Sequence, residues 1–413
     1  MRITHLRQRL RDLGAKPCHE DRLLRGWSQV GSYDRVHSPA ESFFPLAMRN
    51  ELPAIEAELH GLARLHGEYP ADAVVARLLV ELADGLMVES VLLPRGGLCI
   101  STQVGCAVGC VFCMSGRAGL LRQLGSAEIV AQVVLARRRR AVSKVVFMGM
   151  GEPAHNLDNV MEAIQLLGTQ GNIGHKNLVF STVGDLRVFE RLMDGLTHKP
   201  SPQPSDGTTG HSTRPLENNG QVAGHPANRR GGEREVGQAD ILSQDKNSQM
   251  QSSIPVKPAL ALSLHSTDDE LRAKLLPRAP QITIEELVER AEAYARATGY
   301  PVQYQWTLLE GINDSDAELE GIARLLAGKY AVMNFIPFNA VDGLAYRRPS
   351  SERIAFMVQA LKRHGILAKI RDSAGQEIEG ACWQLRARAV QAKQPVQFKT
   401  LISSHEENRP DQG

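Results

Sequence analysis

Several residue classes are scarce in this chain of 413 residues. It holds six cysteines, aromatic residues make up 5% of it, and no apolar run is long enough to span a bilayer. So little cysteine excludes a disulfide-rich secreted scaffold, in which many paired thiols replace a large core. The formal net charge is only +2, which says little about nucleic-acid binding. With no apolar leader after Met1, we expect a globular, cytoplasmic protein without a membrane partner.

The cysteines that are present are concentrated in one stretch. Cys106, Cys110 and Cys113 follow a Cys-x3-Cys-x2-Cys spacing. Three thiolates hold three irons of a [4Fe-4S] cluster and leave the fourth iron open, whereas full protein ligation takes four cysteines. A zinc site with Cys99 or a histidine as fourth ligand is the alternative, but a second Cys-x2-Cys or histidine pair is missing downstream. With Phe112 before the last cysteine, the motif resembles the radical S-adenosylmethionine (SAM) superfamily.

The first part of the chain is patterned as helix and then as a β-hairpin. Apolar residues recur three or four positions apart, which predicts a small helical accessory domain over residues 1–76. Two β-rich runs flank Asp84-Gly85, a strong turn signal, and predict a hairpin over residues 77–96. Three aromatic side chains of the helical region are expected in its core rather than on a base-stacking surface: Trp27, Phe43 and Phe44.

From residue 97 onward, short β-rich runs alternate with helical patterns, which predicts βα units and a parallel sheet. Helices are predicted at Ser126–Arg139, with Ser126 as the N-cap, and at Ile284–Ala297. Six such units predict an α/β fold, a partial (β/α)6 barrel over residues 97–385. The predicted strands are Leu98–Val104, Lys144–Met148, Asn177–Phe180, Ala259–Leu264, Val302–Leu309 and Ala331–Ile336.

Polar or glycine-rich residues follow most of these strands, and barrel active sites lie where the strands end. Gly149 and Gly151 would let the backbone approach a ligand, and Glu152 would pair with the ligand's ammonium group. Taken singly, a tight turn and a structural histidine explain these residues equally well. Their shared position at strand ends predicts a SAM pocket. Three further side chains would bind ribose or carboxylate there: Ser181, His265 and Asn339.

Two segments break the pattern. Residues 198–257 are rich in small and polar residues and lack apolar periodicity, which predicts a disordered insertion. It joins a helix to the next strand, so it leaves from the N-terminal face of the barrel, away from the predicted site. An RNA- or partner-binding tether using Arg229-Arg230 is the alternative. Residues 386–413 are predicted to form a frayed tail. The basic block Arg137–Arg140 fits a solvated helix end as well as phosphate binding.

Over most of Arg77 to Leu385 the chain resembles the RlmN/Cfr family of radical SAM RNA methyltransferases, which methylate an adenine carbon. The motifs that carry the resemblance start at Val88, Leu98, Cys106, Gly149, Ser263 and Gly380. The chain departs from the family in a shorter helical amino-terminal region, the extra insertion, and Trp383 in place of glycine. The resemblance implies one [4Fe-4S] cluster on the three spaced cysteines. It also implies a SAM site that includes Gly151, Glu152, Ser181, Ser263, Leu264, His265 and Asn339.

The resemblance further implies how an unreactive adenine carbon, C2 or C8, is methylated. Cys382 first takes a methyl group from one SAM. A second SAM is cleaved to a 5′-deoxyadenosyl radical, which activates that methyl for addition to adenine. Glu89 then removes a proton, and Cys99 releases the product by forming a disulfide with Cys382. The implied partners are ribosomal or transfer RNA and an electron donor such as flavodoxin or ferredoxin, with the enzyme a monomer.

Two other functions are compatible with parts of the sequence. A maturase-type radical SAM enzyme would keep the cluster and the SAM pocket but would not need the Cys99 and Cys382 pair. A non-catalytic, zinc-stabilised RNA-binding module would need neither SAM nor a reductant. Without the resemblance, both cysteines are equally well explained as ordinary buried thiols.

Overall fold

The computed structural model describes residues 1–70, 72–197, 255–340 and 343–371. Its helices are α1 (Ile3–Asp12), α2 (Pro17–Gln29), α3 (Ala40–Phe43), α4 (Leu46–Gly61), α5 (Ser126–Arg137), α6 (Leu157–Gly168), α7 (Leu186–Thr197), α8 (Asp269–Leu275), α9 (Ile284–Thr298), α10 (Asp316–Leu326) and α11 (Ser351–Arg363). Its strands are β1 (Ala63–Pro70), β2 (Ala76–Leu82), β3 (Met87–Leu93), β4 (Gly97–Cys99), β5 (Gln103–Gly105), β6 (Leu120–Gln123), β7 (Lys144–Phe147), β8 (Leu178–Thr182), β9 (Ala259–Ser263), β10 (Val302–Leu308), β11 (Ala331–Pro337) and β12 (Leu367–Ile370).

One large sheet organises the molecule. Its strand order is β1-β2-β3-β4-β7-β8-β9-β10-β11-β12, while β5 and β6 pair in a separate two-stranded sheet. The first four strands of the large sheet are antiparallel, and from β4 onward neighbouring strands are parallel. Parallel strands need crossover connections, and helices supply them along the chain. The predicted α/β fold with a parallel sheet is confirmed.

The strand boundaries differ from prediction at both ends of the parallel sheet. The predicted strand Leu98–Val104 is broken, because Thr102 and Gln103 donate their backbone N–H groups to Met150 O at 2.9 and 3.1 Å and leave the large sheet. The strand Leu367–Ile370 was not predicted. Three of its four residues are exposed, so its apolar pattern is too weak to mark a strand.

The amino-terminal region is helical up to Gly61, and β1 follows immediately. The prediction that this region stays helical up to residue 76 was wrong after Gly61, because the apolar spacing of α4 continues by chance into β1. Pairing with β2 decides the structure there. Side-chain hydrogen bonds join Arg64 and His66 of β1 to Glu81 of β2 at 2.7 and 3.1 Å. The aromatic side chains pack as predicted: Trp27 and Phe44 are buried, and Phe43 packs against the same core.

The hairpin predicted around Asp84-Gly85 is confirmed. Strands β2 and β3 are antiparallel with Glu81 opposite Met87, and Gly85 takes a φ of +79° in the turn. Asp84 Oδ1 accepts the backbone N–H of Leu86 at 3.1 Å, which closes the turn. The hairpin leads into β4, which pairs with β3 on one side and β7 on the other.

Helix α5 lies between the sheet and the amino-terminal helices, so it is buried along nearly its whole length. Gly125 is its N-cap, and Glu128 Oε2 accepts the Gly125 N–H at 2.7 Å. The prediction that Ser126 caps this helix was therefore wrong by one residue. Ser126 Oγ instead accepts the backbone N–H of Ile3 at 2.8 Å and ties the amino terminus to the sheet domain.

The basic block at the end of α5 is mostly structural, which neither sequence interpretation anticipated. Arg137 donates to the carbonyl oxygens of Ser28 and Gly171 at 2.7 and 2.8 Å. Arg140 donates to Val74 O at 2.6 Å and also to the carbonyls of Leu93 and Gly97. The guanidinium groups of Arg137 and Arg140 thus donate their hydrogen bonds to backbone carbonyl oxygens of the protein and are not available to bind phosphate.

The predicted insertion, residues 198–257, lies outside the described residues except for its last three. Val256 within it is 5% exposed and packs against Gly168, so the chain is already part of the core there. The insertion's predicted end at residue 257 was therefore too late. The predicted tail, 386–413, also lies outside the described residues. In the described ranges, no helix combines the length and the apolar character needed to cross a bilayer.

Candidate cluster and cofactor site

The three spaced cysteines lie in a loop between β5 and β6 whose shape depends on glycine. Gly105 has a φ of +87°, and a Cβ there would lie 2.0 Å from Gly119 O. The next residue, Cys106, donates its N–H to that same oxygen at 3.1 Å. Farther along, a Cβ at Gly116 would lie 2.7 Å from the Cα of Gly109. The cysteine loop is therefore closely packed on itself, with backbone segments in direct contact that leave room only for glycine.

Neighbouring elements hold the loop from outside. The backbone N–H of Val111 donates to Leu275 O at 3.1 Å, and Arg278 Nη1 donates to Ala107 O at 3.0 Å. The ring of Phe112 packs edge-on against His265, with ring centroids 4.9 Å apart. A small apolar cluster that includes Val108, Val183, Leu276, Leu309 and Phe338 surrounds the cysteines.

Burial and crowding keep these thiols protonated in the absence of bound cations. Burial raises the pKa of Cys106 to about 11, and the nearby charge of Glu152 adds to this. The pKa of Cys110 is raised well above its ordinary value by burial and then by the charges of Cys113 and Cys106, and the pKa of Cys113 is raised by burial. Three soft sulfur donors in apolar surroundings fit an iron–sulfur cluster, whose positive irons would stabilise the thiolates.

The arrangement of the cysteines bears on the zinc alternative. In the part of the chain that the structure describes, no three histidine, cysteine or acidic side chains converge on one position suited to a single metal ion. A structural zinc needs four ligands around one ion, whereas each cysteine of a cubane binds a different iron.

The glycines after β7 are required by contacts within the protein. A Cβ at Gly149 would lie 2.4 Å from Ile100 O, and one at Gly151 would lie 2.6 Å from the side chain of Gln103. The sequence argument gave a ligand as the reason for these glycines. In the structure the close approach is to the chain segment from Ile100, which follows β4, to Gln103, which begins β5.

Glu152 joins the ends of two parallel strands. Its Oε1 accepts the N–H of Ala154 and its Oε2 accepts the N–H of Val183, both at 3.0 Å. Burial raises its pKa to about 7 in spite of these hydrogen bonds. The Glu152 side chain also forms a hydrogen bond with Thr182, so the carboxyl group is shared among three partners within the protein.

The other predicted cofactor residues lie at or just after the ends of parallel strands, as expected. Ser181 and Ser263 are partly buried near the ends of β8 and β9, and Asn339 follows β11 by two residues. Leu264 is different, because its side chain is fully buried in the main core and its N–H donates to Gln305 O at 3.0 Å. Only its carbonyl oxygen is left to contact a ligand.

His265 is held in one tautomer. It has a φ of +64°, and its Nδ1 accepts the backbone N–H of Thr307 at 2.9 Å, which places its proton on Nε2. Burial lowers its pKa to about 3, so the ring stays neutral at physiological pH. Asn313 Nδ2 fixes the His265 carbonyl at 2.8 Å. His265 is therefore a neutral donor next to Phe112.

Arg272 belongs to the site but was missed by sequence reasoning. It is 4% exposed and donates to the carbonyl oxygens of Val183 and Ser263, which end two neighbouring strands. Its charge also faces Cys110 and Glu152. The available signal was its position on α8, where it precedes the buried Leu275 and Leu276 by three and four residues and so shares their face.

Comparison with known proteins agrees with this geometry. The profile of the radical SAM superfamily matches residues 100–198, which contain the cysteine loop and the Gly149–Glu152 turn. A probable RNA methyltransferase of Pseudomonas aeruginosa is 59% identical over 95% of this chain and 96% of its own length. One of Thiobacillus denitrificans is 58% identical over 98% of this chain and 95% of its own length. The chain belongs to the RlmN/Cfr family of radical SAM methyltransferases.

A solved structure supports the same family assignment. The crystal structure of a radical SAM methyltransferase from Sphaerobacter thermophilus is 28% identical to this chain, with a TM-score of 0.67. The match covers 92% of this chain and 96% of that one. This chain is therefore a SAM-dependent methyltransferase, and the expected family cofactors are SAM and an iron–sulfur cluster.

The two described catalytic candidates of this family member lie on neighbouring strands. Glu89 in β3 is 1% exposed and Cys99 in β4 is 8% exposed. Because Val91 is directly opposite Cys99, Glu89 projects from the same face of the sheet as Cys99. The predicted partner of Cys99, Cys382, lies outside the described residues.

Proposed function

We propose that this enzyme methylates C2 or C8 of an adenine in ribosomal or transfer RNA. Support for an RNA substrate comes from the relatives named probable RNA methyltransferases, which match nearly the full length of this chain. The observation that carries the proposal is the buried loop of three cysteines beside Glu152 and His265, at the ends of the parallel strands. Such a site suits a reaction that must be kept from water.

The residues of the site have distinct roles in this proposal. Cys106, Cys110 and Cys113 would hold a [4Fe-4S] cluster, which would supply the electron for reductive cleavage of SAM to a 5′-deoxyadenosyl radical. Neutral His265 donates a hydrogen bond through Nε2 and accepts none there. The remaining residues that orient SAM are Gly151, Glu152, Ser181, Ser263, Leu264 through its carbonyl, and Asn339.

The methyl group passes through Cys382. Its thiolate displaces S-adenosylhomocysteine from one SAM, so that a carbon–sulfur bond forms as another breaks. After the methyl carbon has been activated and has added to adenine, Glu89 takes the proton from the substituted ring carbon. The adduct must also give up one electron, which the oxidised cluster would accept. The thiolate of Cys99 then attacks the Cys382 sulfur, so that the disulfide forms as the carbon–sulfur bond breaks, and the released carbon takes up a proton and becomes the new methyl group of the RNA. An external thiol or donor must reduce that disulfide before the next turnover.

The experiment uses the different duties of the two cysteines. In Cys99→Ala the carbon–carbon bond forms but no thiolate releases the product, so RNA should stay covalently attached to the protein. Incubation of cluster-loaded Cys99→Ala with SAM, reductant and cellular RNA should give a slower band on a denaturing gel that nuclease removes.

Three controls define the result. Cys99→Ala/Cys382→Ala lacks the attachment point and Cys110→Ala lacks a cluster ligand, so neither should give the band. Cys18→Ala should behave as wild type. A fully active Cys99→Ala enzyme, or a band that survives loss of Cys382, would eliminate the methyl-cysteine route and leave the maturase-type alternative open. Zinc without iron in anaerobically purified protein would favour the RNA-binding module instead.

We also propose that the enzyme acts as a cytoplasmic monomer that receives electrons from a flavodoxin or ferredoxin. The chemistry requires a one-electron donor of low potential, which such proteins provide in reducing compartments. Sedimentation of the loaded enzyme and reduction of its cluster by purified flavodoxin would test these two points.

A further inference from the structure

His265 adopts a backbone conformation that residues with a side chain rarely take. Its φ of +64° lies in the left-handed region, which is strained for any residue except glycine. Strain of this kind persists only where the surroundings hold it, and it is concentrated at functional positions. His265 is 5% exposed, whereas the other non-glycine residues with a positive φ in the described chain are all exposed: Val30, Arg95 and Asn172.

The imidazole ring of His265 is fixed from two sides. Its Nδ1 accepts the backbone N–H of Thr307 at 2.9 Å, and its edge packs against Phe112 of the cysteine loop with ring centroids 4.9 Å apart. The described chain supplies no acceptor for Nε2–H, and this nitrogen is not one of its fully enclosed polar atoms without a partner. The Nε2–H group therefore borders space that a ligand can fill.

The side chain of Asn313 holds the backbone of His265. Asn313 is fully buried, and its Nδ2 donates to the carbonyl oxygens of His265 and Thr307, both at 2.8 Å. Its Oδ1 accepts the backbone N–H of Leu309 at 2.8 Å, and its own carbonyl accepts Trp306 Nε1 at 3.2 Å. Both amide protons are thus used, and a flipped amide would place its oxygen against two carbonyls.

The hydrogen bonds of Asn313 complete a ring of contacts around His265. Thr307 orients the imidazole through its N–H, and its carbonyl is tied by Asn313 to the carbonyl of His265. Without the two Asn313 donors these buried carbonyls would be unpaired, and His265 would be free to relax toward an ordinary φ. The chain after His265 is held separately, since the Thr267 N–H donates to Glu318 Oε2 at 2.7 Å.

We infer that Asn313 is a positioning residue for SAM, because it holds His265 in the left-handed conformation that aims Nε2–H at the bound cofactor. This inference rests on the proposed function, which makes His265 a SAM ligand. A neutral N–H donor suits a carboxylate or a ribose hydroxyl oxygen. A donor that is already ordered in the free protein binds more tightly, because little conformational freedom is lost on binding. Asn313 is fully buried and acts only through His265.

The test compares two buried asparagines with the same kind of contacts. Asn313→Asp keeps the shape and the acceptor for the Leu309 N–H but replaces the donating Nδ2 with an oxygen. Asn156→Asp is the matched control, because Asn156 is 5% exposed and its Nδ2 donates to the carbonyls of Thr102 and Leu124 at 2.8 and 2.7 Å. Both variants should lower the melting temperature by similar amounts. Asn313→Ala and Asn156→Ala repeat the comparison without a buried acid.

Binding of labelled SAM is measured by equilibrium dialysis with cluster-loaded enzyme, without reductant or RNA. Asn313→Asp should bind SAM about tenfold more weakly than wild type at equal iron content, whereas Asn156→Asp should match wild type. KM for SAM should rise while the rate at saturating SAM changes little. His265→Ala should also weaken SAM binding. Asn313→Asp/His265→Ala should bind no more weakly than His265→Ala alone, because Asn313 acts through His265.

Three outcomes would overturn the inference. Wild-type SAM affinity in the folded Asn313 variants would show that His265 keeps its position without Asn313. Additive losses in the double variant would show that Asn313 affects SAM by another route, and equal losses in the Asn156 variants would show a general effect of stability. Failure of the proposed function is recognised separately: wild type would then bind SAM and depend on Asn313 as expected, yet leave RNA unmethylated.

Discussion

Glu152 places a carboxyl group in a fully buried position at the junction of two strands, and its protonation should affect stability. Its pKa rises from an ordinary 4.5 to about 7 because burial disfavours the charged form. Between these two values the folded chain keeps a proton that the unfolded chain has lost. The group therefore contributes stability at low pH that is lost as the pH rises toward 7, by about 3 kcal/mol in total.

We expect the metal-free enzyme to lose that contribution between pH 4.5 and 7, and Glu152→Gln, which does not titrate, to lack it. Denaturant unfolding of both proteins at several pH values measures the difference. Glu58→Gln, on the exposed face of α4, should follow the wild-type curve. If the free energies of unfolding of wild type and Glu152→Gln change in parallel with pH, the carboxyl group is already ionised in the folded protein at low pH. Burial would then not be the main influence on the pKa of Glu152.

At the scale of elements, the hairpin formed by β5 and β6 shapes the cysteine loop. Gly105→Ala would introduce both a strained φ and a methyl group in collision with Gly119 O. We expect a loss of about 2 kcal/mol or more in unfolding free energy and less iron per chain after reconstitution. Thermal unfolding and iron analysis measure both effects.

Gly61 offers a matched substitution at the end of α4, where a Cβ meets nothing within 4 Å. Gly61→Ala should leave iron content unchanged and should not destabilise the protein, because alanine is the better helix former. Normal iron loading in Gly105→Ala would mean that the hairpin adapts and does not fix the cysteines.

At the scale of the whole molecule, the barrel should tolerate loss of most of the insertion. Deleting residues 201–253 should leave the melting temperature and the methylation rate nearly unchanged, since closure entropy varies slowly with loop length. Extending the deletion through Lys257 should destabilise the protein, because Val256 fills a core position against Gly168. RNA binding lost from a folded, SAM-cleaving 201–253 deletion would show instead that the insertion is the RNA tether.

Local chemistry was predictable from sequence because it depends on short covalent spacing. The cysteine motif, the Asp84-Gly85 turn and the polar residues at strand ends each lie within a few neighbours, where periodicity and residue type carry the information. The predicted ends of helices and strands were less accurate. Helix α4 stops at Gly61 because β1 pairs with β2, and no local pattern records a partner strand.

The sequence by itself determined the order of the parallel strands and the helices between them, the close spacing of three cysteines, and the family to which the chain belongs. Tertiary structure alone decided the contacts of Arg272 with the carbonyl groups of Val183 and Ser263 and the contacts that require Gly149 and Gly151. These features join residues far apart in the chain. Their proximity arises from burial and sheet curvature, which depend on the packing of the whole chain and leave no periodic signal at any single position.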